Sequence, residues 1–150
     1  MYARIMAGID DQFATSKVFA TALALARQFD AKLALCHALD QTPLAQHGAR
    51  VALPDGVAPV VASLRATARE FLDKAVATAR EAGIDAEIRV VDSEHDNTAD
   101  LLARAAEDWH ADLLIVGLSD SRGVGRIFSE GVGVKLAVRA PTSLLLVRHD

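Results

Sequence analysis

The chain has 150 residues, 51% of them hydrophobic, and a formal net charge of −4. Length and apolar share predict one folded domain over residues 1–150 with a substantial core, and argue against disorder. The negative balance and the lack of a basic run argue against nucleic acid and against anionic membrane surfaces as partners.

Cys36 is the only cysteine, so no internal disulfide can form. It lies in an apolar run, where a thiol behaves as a small buried hydrophobe. The first residues carry no charged-then-apolar leader, and no apolar run approaches the ~20 residues of a membrane span. The expectation is a cytoplasmic protein.

Residues 3–9 (ARIMAGI) predict a first strand, ending on Asp10-Asp11. Thr15 or Ser16 offers a hydroxyl to cap a helix. Val18, Ala22, Leu25, Ala26 and Phe29 then recur at helical spacing. Asp30 breaks that pattern, and residues 32–39 (KLALCHAL) predict a second buried strand. Asp10 has two readings here. It accepts hydrogen bonds from a ligand at the strand end, or it is a solvated turn carboxylate. His37, inside a strand, is more often a packed core residue than a ligand.

Residues 40–58 hold Pro43, Gly48, Pro54 and Gly56 and show no clean period. A connection of this length inside a compact unit is mobile or functional. Leu44, Val51 and Leu53 in it would cover a cleft or touch a partner chain, or the whole is a surface loop. Pro59 suits the first turn of a helix. Val61, Leu64, Ala68, Phe71, Leu72, Ala75 and Ala79 make its apolar stripe, Glu70 and Lys74 an i,i+4 pair, and Gly83 its stop. Residues 85–91 (DAEIRVV) alternate and predict an edge strand.

The polar stretch 92–100 (DSEHDNTAD) is either a metal site using Glu94, His95 and Asp96 or a solvated turn whose Asn97 caps the next helix. Asp100 favours the positive end of that helix. Leu101, Leu102, Ala105, Ala106 and Trp109 stripe it. An apolar run at 113–116 then ends on Gly117. A polar, glycine-bearing loop, a helix-like segment, an Ala140-Pro141 stop and a last apolar run at 144–147 follow. Five strands alternating with four helices predict an α/β fold with a parallel sheet. Ligands of such sheets bind beyond the carboxyl ends of the strands.

The spacing in residues 112–148 resembles the C-terminal half of the universal stress proteins. In that family a strand ends in Gly, two residues intervene, and a second Gly follows. Nine further residues intervene before a Gly followed by Ser or Thr. These groups wrap the phosphates of ATP. Gly117 matches the first glycine, Arg126 a basic loop position, Val132 and Lys135 the helix, and Ala140-Pro141 its end. Asp120 and Glu130 stand where the other two glycines belong, and Gly131 where the hydroxyl belongs.

The resemblance extends over essentially the whole chain. It implies a Rossmann-like open sheet of five parallel strands in order 3-2-1-4-5, with helices on both faces. It implies that Asp10 lines an adenosine pocket and that Ala38 is the apolar contact to adenine, with ATP or AMP as ligand and Mg²⁺ entering only with the nucleotide. The site it implies comprises Asp10, Ala38, Gly117, Ser119, Asp120, Arg122, Gly123, Gly125, Arg126, Glu130 and Gly131. It also implies a homodimer through the terminal strand, residues 143–148.

The departures weaken that site for a polyphosphate. Asp120 adds negative charge, and Glu130 occupies a helix start where a phosphate would sit. Asp11 adds a further carboxylate beside Asp10. Arg122, Arg126 and Lys135 would neutralise the carboxylates or still hold a phosphate. Three functions follow: a ligand-binding, dimerising stress protein with impaired or altered ATP/AMP binding, a nucleotide-free interaction module, or a slow nucleotide hydrolase or phosphotransferase. Neither a nucleophile elbow nor a Walker loop occurs, which leaves the enzyme reading little support.

Overall fold

The computed structural model describes residues 1–41, 56–118 and 130–148. Its strands are β1 (Arg4–Gly8), β2 (Lys32–Asp40), β3 (Ala86–Ser93), β4 (Leu113–Leu118) and β5 (Ser143–Arg148). The helices are α1 (Lys17–Phe29), α2 (Ala58–Glu81), α3 (Thr98–Asp108) and α4 (Glu130–Arg139), and Phe13–Thr15 form one short 3₁₀ turn before α1. The strands form one sheet in order β3-β2-β1-β4-β5, with every neighbouring pair parallel. The alternation, the parallel sheet and the order therefore stand as expected.

Sequence chemistry sets the element ends. Ser16, not Thr15, caps α1: its Oγ accepts from the Val18 and Phe19 amides at 3.1 and 3.5 Å. Asp30 closes α1 in the left-handed region at φ 51°, a conformation that Asp adopts more readily than most residues. Gly83 ends α2 at φ +78°, where a side chain would strain the backbone. Pro59 lies in the first turn of α2, and Glu70 and Lys74 pair at 3.7 Å on its exposed side.

The sheet buries both faces. Toward α1 and α2 lie Ile5, Ala7, Leu33, Leu35, Leu113 and Ile115, with Val18, Phe19, Ala22, Leu72 and Ala75 from the helices. Toward α3 and α4 lie Met6, Ala34, Cys36, Ala38, Leu114 and Val116, with Leu101, Leu102, Ala105, Ala106 and Leu136. Two details depart from the expected stripes. Phe19 is buried and fits the helical spacing three and seven residues before Ala22 and Ala26, although the expected stripe leaves it out, and Leu64, placed in the stripe of α2, is 44% exposed.

The turn at 93–97 is closed by its own hydroxyl and amide. Ser93 Oγ accepts from the His95 and Asp96 amides at 3.1 Å each, and Asn97 Oδ1 accepts from Asp100 N–H at 3.0 Å. Asp96 is held by Arg104 at 3.0 Å, while Glu94 and His95 face solvent. Among the described residues no group of three acidic, His or Cys side chains converges on a metal position. Among the described residues no helix is long and apolar enough to cross a membrane.

Candidate functional site

The site follows from strand lengths. β1 pairs with β2 as far as Gly8↔Cys36 and with β4 as far as Ala7↔Ile115. Its neighbours run on, β2 to Asp40 and β4 to Leu118. The sheet is therefore notched at the carboxyl end of its middle strand. Chain order reverses at this point, since β1 leads to β2 on one side and lies beside β4 on the other. That is the topological switch point where open α/β sheets take ligands.

Extending the two registers by two steps sets Asp10 level with Ala38 on one wall and Ile9 level with Gly117 on the other. The predicted Asp10, Ala38 and Gly117 thus converge on one notch. Gly131 lies in the first turn of α4, and the Glu130 backbone opens that helix. Ser119, Asp120, Arg122, Gly123, Gly125 and Arg126, together with the Glu130 side chain, lie outside the described residues, as does most of the 40–58 connection.

The Ala38 side chain is 2% exposed and packs toward α3 in the core. It has little surface to lay against a base. Its backbone is another matter. In a parallel strand, successive residues direct N–H and C=O to alternate neighbours. Lys32 donates to Ala3 O at 3.0 Å and Cys36 O accepts from Ile9 N–H at 2.9 Å, so even-numbered residues of β2 address β1. Leu33 and Gln41 donate to Asp85 O and Ser93 O across the other edge at 2.9 and 3.3 Å. Ala38 therefore points its peptide groups into the notch beyond the last β1 pair.

Asp10 is half-buried at the floor of the notch. Its Oδ1 accepts from Gln12 N–H at 2.9 Å, and its carbonyl accepts from Phe13 N–H at 3.2 Å, starting the 3₁₀ turn. The carboxylate is oriented by the turn that follows it and still has lone pairs for a ligand hydroxyl. Asp11, beside it, is exposed.

His37 is 4% exposed and its Nδ1 lies 2.8 Å from Ile9 O. A carbonyl only accepts, so Nδ1 carries the proton and Nε2 keeps its lone pair. The ring meets Phe71 of α2 edge to face, with centroids 5.0 Å apart and planes at 86°. Burial pushes the His37 pKa down, while the Ile9 carbonyl and the Asp10 and Asp11 charges pull it back up. The folded ring therefore resists a proton that the unfolded chain takes up near pH 6.5. Where the unfolded state binds more protons, stability rises with pH. The contribution is fully present above pH 6.5 and is lost as pH falls below it toward the lower folded value. Thermal unfolding of wild type and His37→Asn across that pH checks this: the wild-type melting temperature falls more steeply on acidification. Parallel pH curves for the two would refute it.

Sequence reasoning missed a second group at this end of the sheet. Asp92 on β3 receives Gln41 Nε2 at 3.2 Å and pairs with Arg65 of α2. It ties the end of β2, β3 and the first half of α2 together. The partners are 51 and 27 residues apart, and no local pattern marks such a cluster.

A groove of about 330 Å³ lies elsewhere, between α3 and the end of α4, lined by Asp96, Asp100, Arg104, Glu107, Arg139 and Pro141. Its two arginines are engaged by Asp96 and Asp100.

A parallel sheet notched at its switch point, with an acidic residue after β1 and glycine near the end of β4, agrees with the match of the universal stress protein family to residues 1–148. The chain belongs to that family. A structure of a universal stress family protein from Burkholderia pseudomallei is 24% identical, covers 97% of this chain and 96% of its own, and has a TM-score of 0.74. A universal stress protein in complex with cAMP is also 24% identical, with 97% and 96% covered and a TM-score of 0.64. An Arabidopsis thaliana universal stress family protein with AMP bound is 16% identical, with 99% and 92% covered and a TM-score of 0.61. These likenesses establish the fold. Comparison with curated proteins finds no match.

Proposed function

We propose that this universal stress protein is a single ligand-binding domain that takes an adenine nucleotide in the notch and is impaired in holding the triphosphate of ATP. The observation that carries the reading is the convergence of Asp10, the Ala38 backbone and Gly117 beyond the short middle strand. A carboxylate suits ribose hydroxyls, and a peptide edge suits the polar rim of a base. The ligands of the two related structures, cAMP and AMP, are adenine nucleotides, which supports the choice of ligand class.

The impairment rests on charge. Asp120 and Glu130 replace the glycines of the family loop, and Asp10 and Asp11 already make the notch acidic. A monophosphate meets less of this repulsion than a triphosphate. Arg122 and Arg126 are the loop's counter-charges, and Mg²⁺ enters only with a nucleotide. Calorimetric titration tests the reading: AMP binds measurably, and Mg-ATP binds more weakly than AMP. Tighter Mg-ATP than AMP binding refutes the impairment.

The assembly we propose is a homodimer through β5 in the cytoplasm. β5 lies at the sheet edge with Leu144, Leu145, Leu146 and Val147 half-buried, and such an edge invites a second strand. On α4, Val134 and Val138 are 64% and 84% exposed, one turn apart. Sedimentation at micromolar concentration gives a dimer mass in this account; a monomer mass contradicts it.

A further inference from the structure

The notch opens because the pairing of β1 with β2 stops, and the structure shows what sits where the next bond belongs. The backbone bonds between the two strands run as far as Ile9 N–H to Cys36 O. In the same register the Ile9 carbonyl would next accept from Ala38 N–H. The Ile9 carbonyl instead meets the His37 ring, Nδ1 to O at 2.8 Å. The ring reaches it from the α2 side of the sheet and is backed there by Phe71. A buried Nδ1–H left without an acceptor is costly, so ring and carbonyl hold each other.

We propose that His37 is the positioning residue of the notch: its Nδ1–H holds the Ile9 carbonyl away from the Ala38 amide, ends the β1–β2 ladder, and leaves that amide directed at a ligand. The proposal deepens the reading of the notch as a ligand site and rests on it. Asp10 follows Ile9 directly, so the same contact fixes where its carboxylate begins. His37 acts through Ile9 and Ala38 and need not touch the ligand itself. The charged groups acting on the ring are Asp10 and Asp11 at the end of β1. Phe71 from α2 and Val90, its register partner on β3, bring no charge.

The test uses the full chain in three forms: wild type, His37→Asn and His37→Leu. Asparagine places an amide N–H near the position of the ring Nδ1–H, whereas leucine places no donor there. Imidazole ¹⁵N spectra of the wild type show the Nδ1–H tautomer if the proposal holds; the Nε2–H tautomer overturns it. Amide exchange at Ala38 slows by about tenfold in His37→Leu, the worth of one hydrogen bond, as the ladder closes. Equal exchange in wild type and His37→Leu overturns the proposal. Titration with AMP gives a further arm. His37→Asn stays within about threefold of wild type and His37→Leu weakens by about tenfold or more. AMP affinity in His37→Leu equal to wild type overturns the positioning role. A wild type that ignores AMP while the spectra and Ala38 exchange come out as expected defeats the nucleotide reading alone and leaves His37 as the residue that ends the ladder.

Discussion

Leu114→Ala lowers the unfolding free energy by about 3–5 kcal/mol, the upper part of the range for a buried leucine. Leu114 is fully buried in β4, opposite Leu144 of β5 and beside Met6 of β1. The size of the loss follows from its neighbours. The core on that face is rich in alanine: Ala34, Ala38, Ala99, Ala105 and Ala106. An alanine has no rotamer with which to fill a hole, so the space left behind stays empty, and cavity volume governs the cost. Urea unfolding followed by far-UV circular dichroism measures it. A loss under about 1 kcal/mol would mean that the helices α3 and α4 can settle onto the sheet, and that this face is packed more loosely than the burial implies.

The second large effect concerns the loop after Gly117. The triple change Asp120→Gly, Glu130→Gly, Gly131→Ser restores the family pattern at three positions and removes two negative charges. Two unit charges about 4 Å apart repel by about 4 kcal/mol at an effective dielectric of 20. That is about a thousandfold in affinity for one close contact. Salt and the arginines of the loop reduce it, so the expected gain in Mg-ATP affinity is about a hundredfold. The gain in AMP affinity is smaller, because AMP lacks the distal phosphates. Calorimetry at two salt concentrations separates charge from shape: an electrostatic gain shrinks as salt rises. A triple variant that binds Mg-ATP no better than wild type would defeat the electrostatic account.

The fold was legible where burial was uniform and hidden where contacts were distant. β2 is buried over seven consecutive residues, so its signal was an unbroken apolar run rather than a period. Strand number and alternation came from such runs and from Gly and Pro between them. Strand order did not: no pattern in a buried parallel strand names its neighbour, and the order 3-2-1-4-5 was implied only by the resemblance. Leu64 shows the limit of periodicity: it sits on the apolar stripe by spacing and is 44% exposed, while Val61 before it is buried.

The site divides in the same way. Asp10 and Gly117 were marked by their place at strand ends. Ala38 is marked by the resemblance, and no local pattern tells that its backbone faces the notch. His37 was visible as a histidine in an apolar run, with nothing nearby to say that its acceptor was the Ile9 carbonyl, 28 residues before it. The Asp92 cluster had no local signal at all.

Native mass spectrometry of the purified protein, with AMP or Mg-ATP supplied in turn, tests the central claim most directly, because it weighs assembly and ligand together. The account predicts a particle of twice the 15.9 kDa chain that gains the mass of AMP in each subunit and gains less ATP at the same concentration. A particle that stays bare in millimolar AMP would contradict the notch as an adenine-nucleotide site.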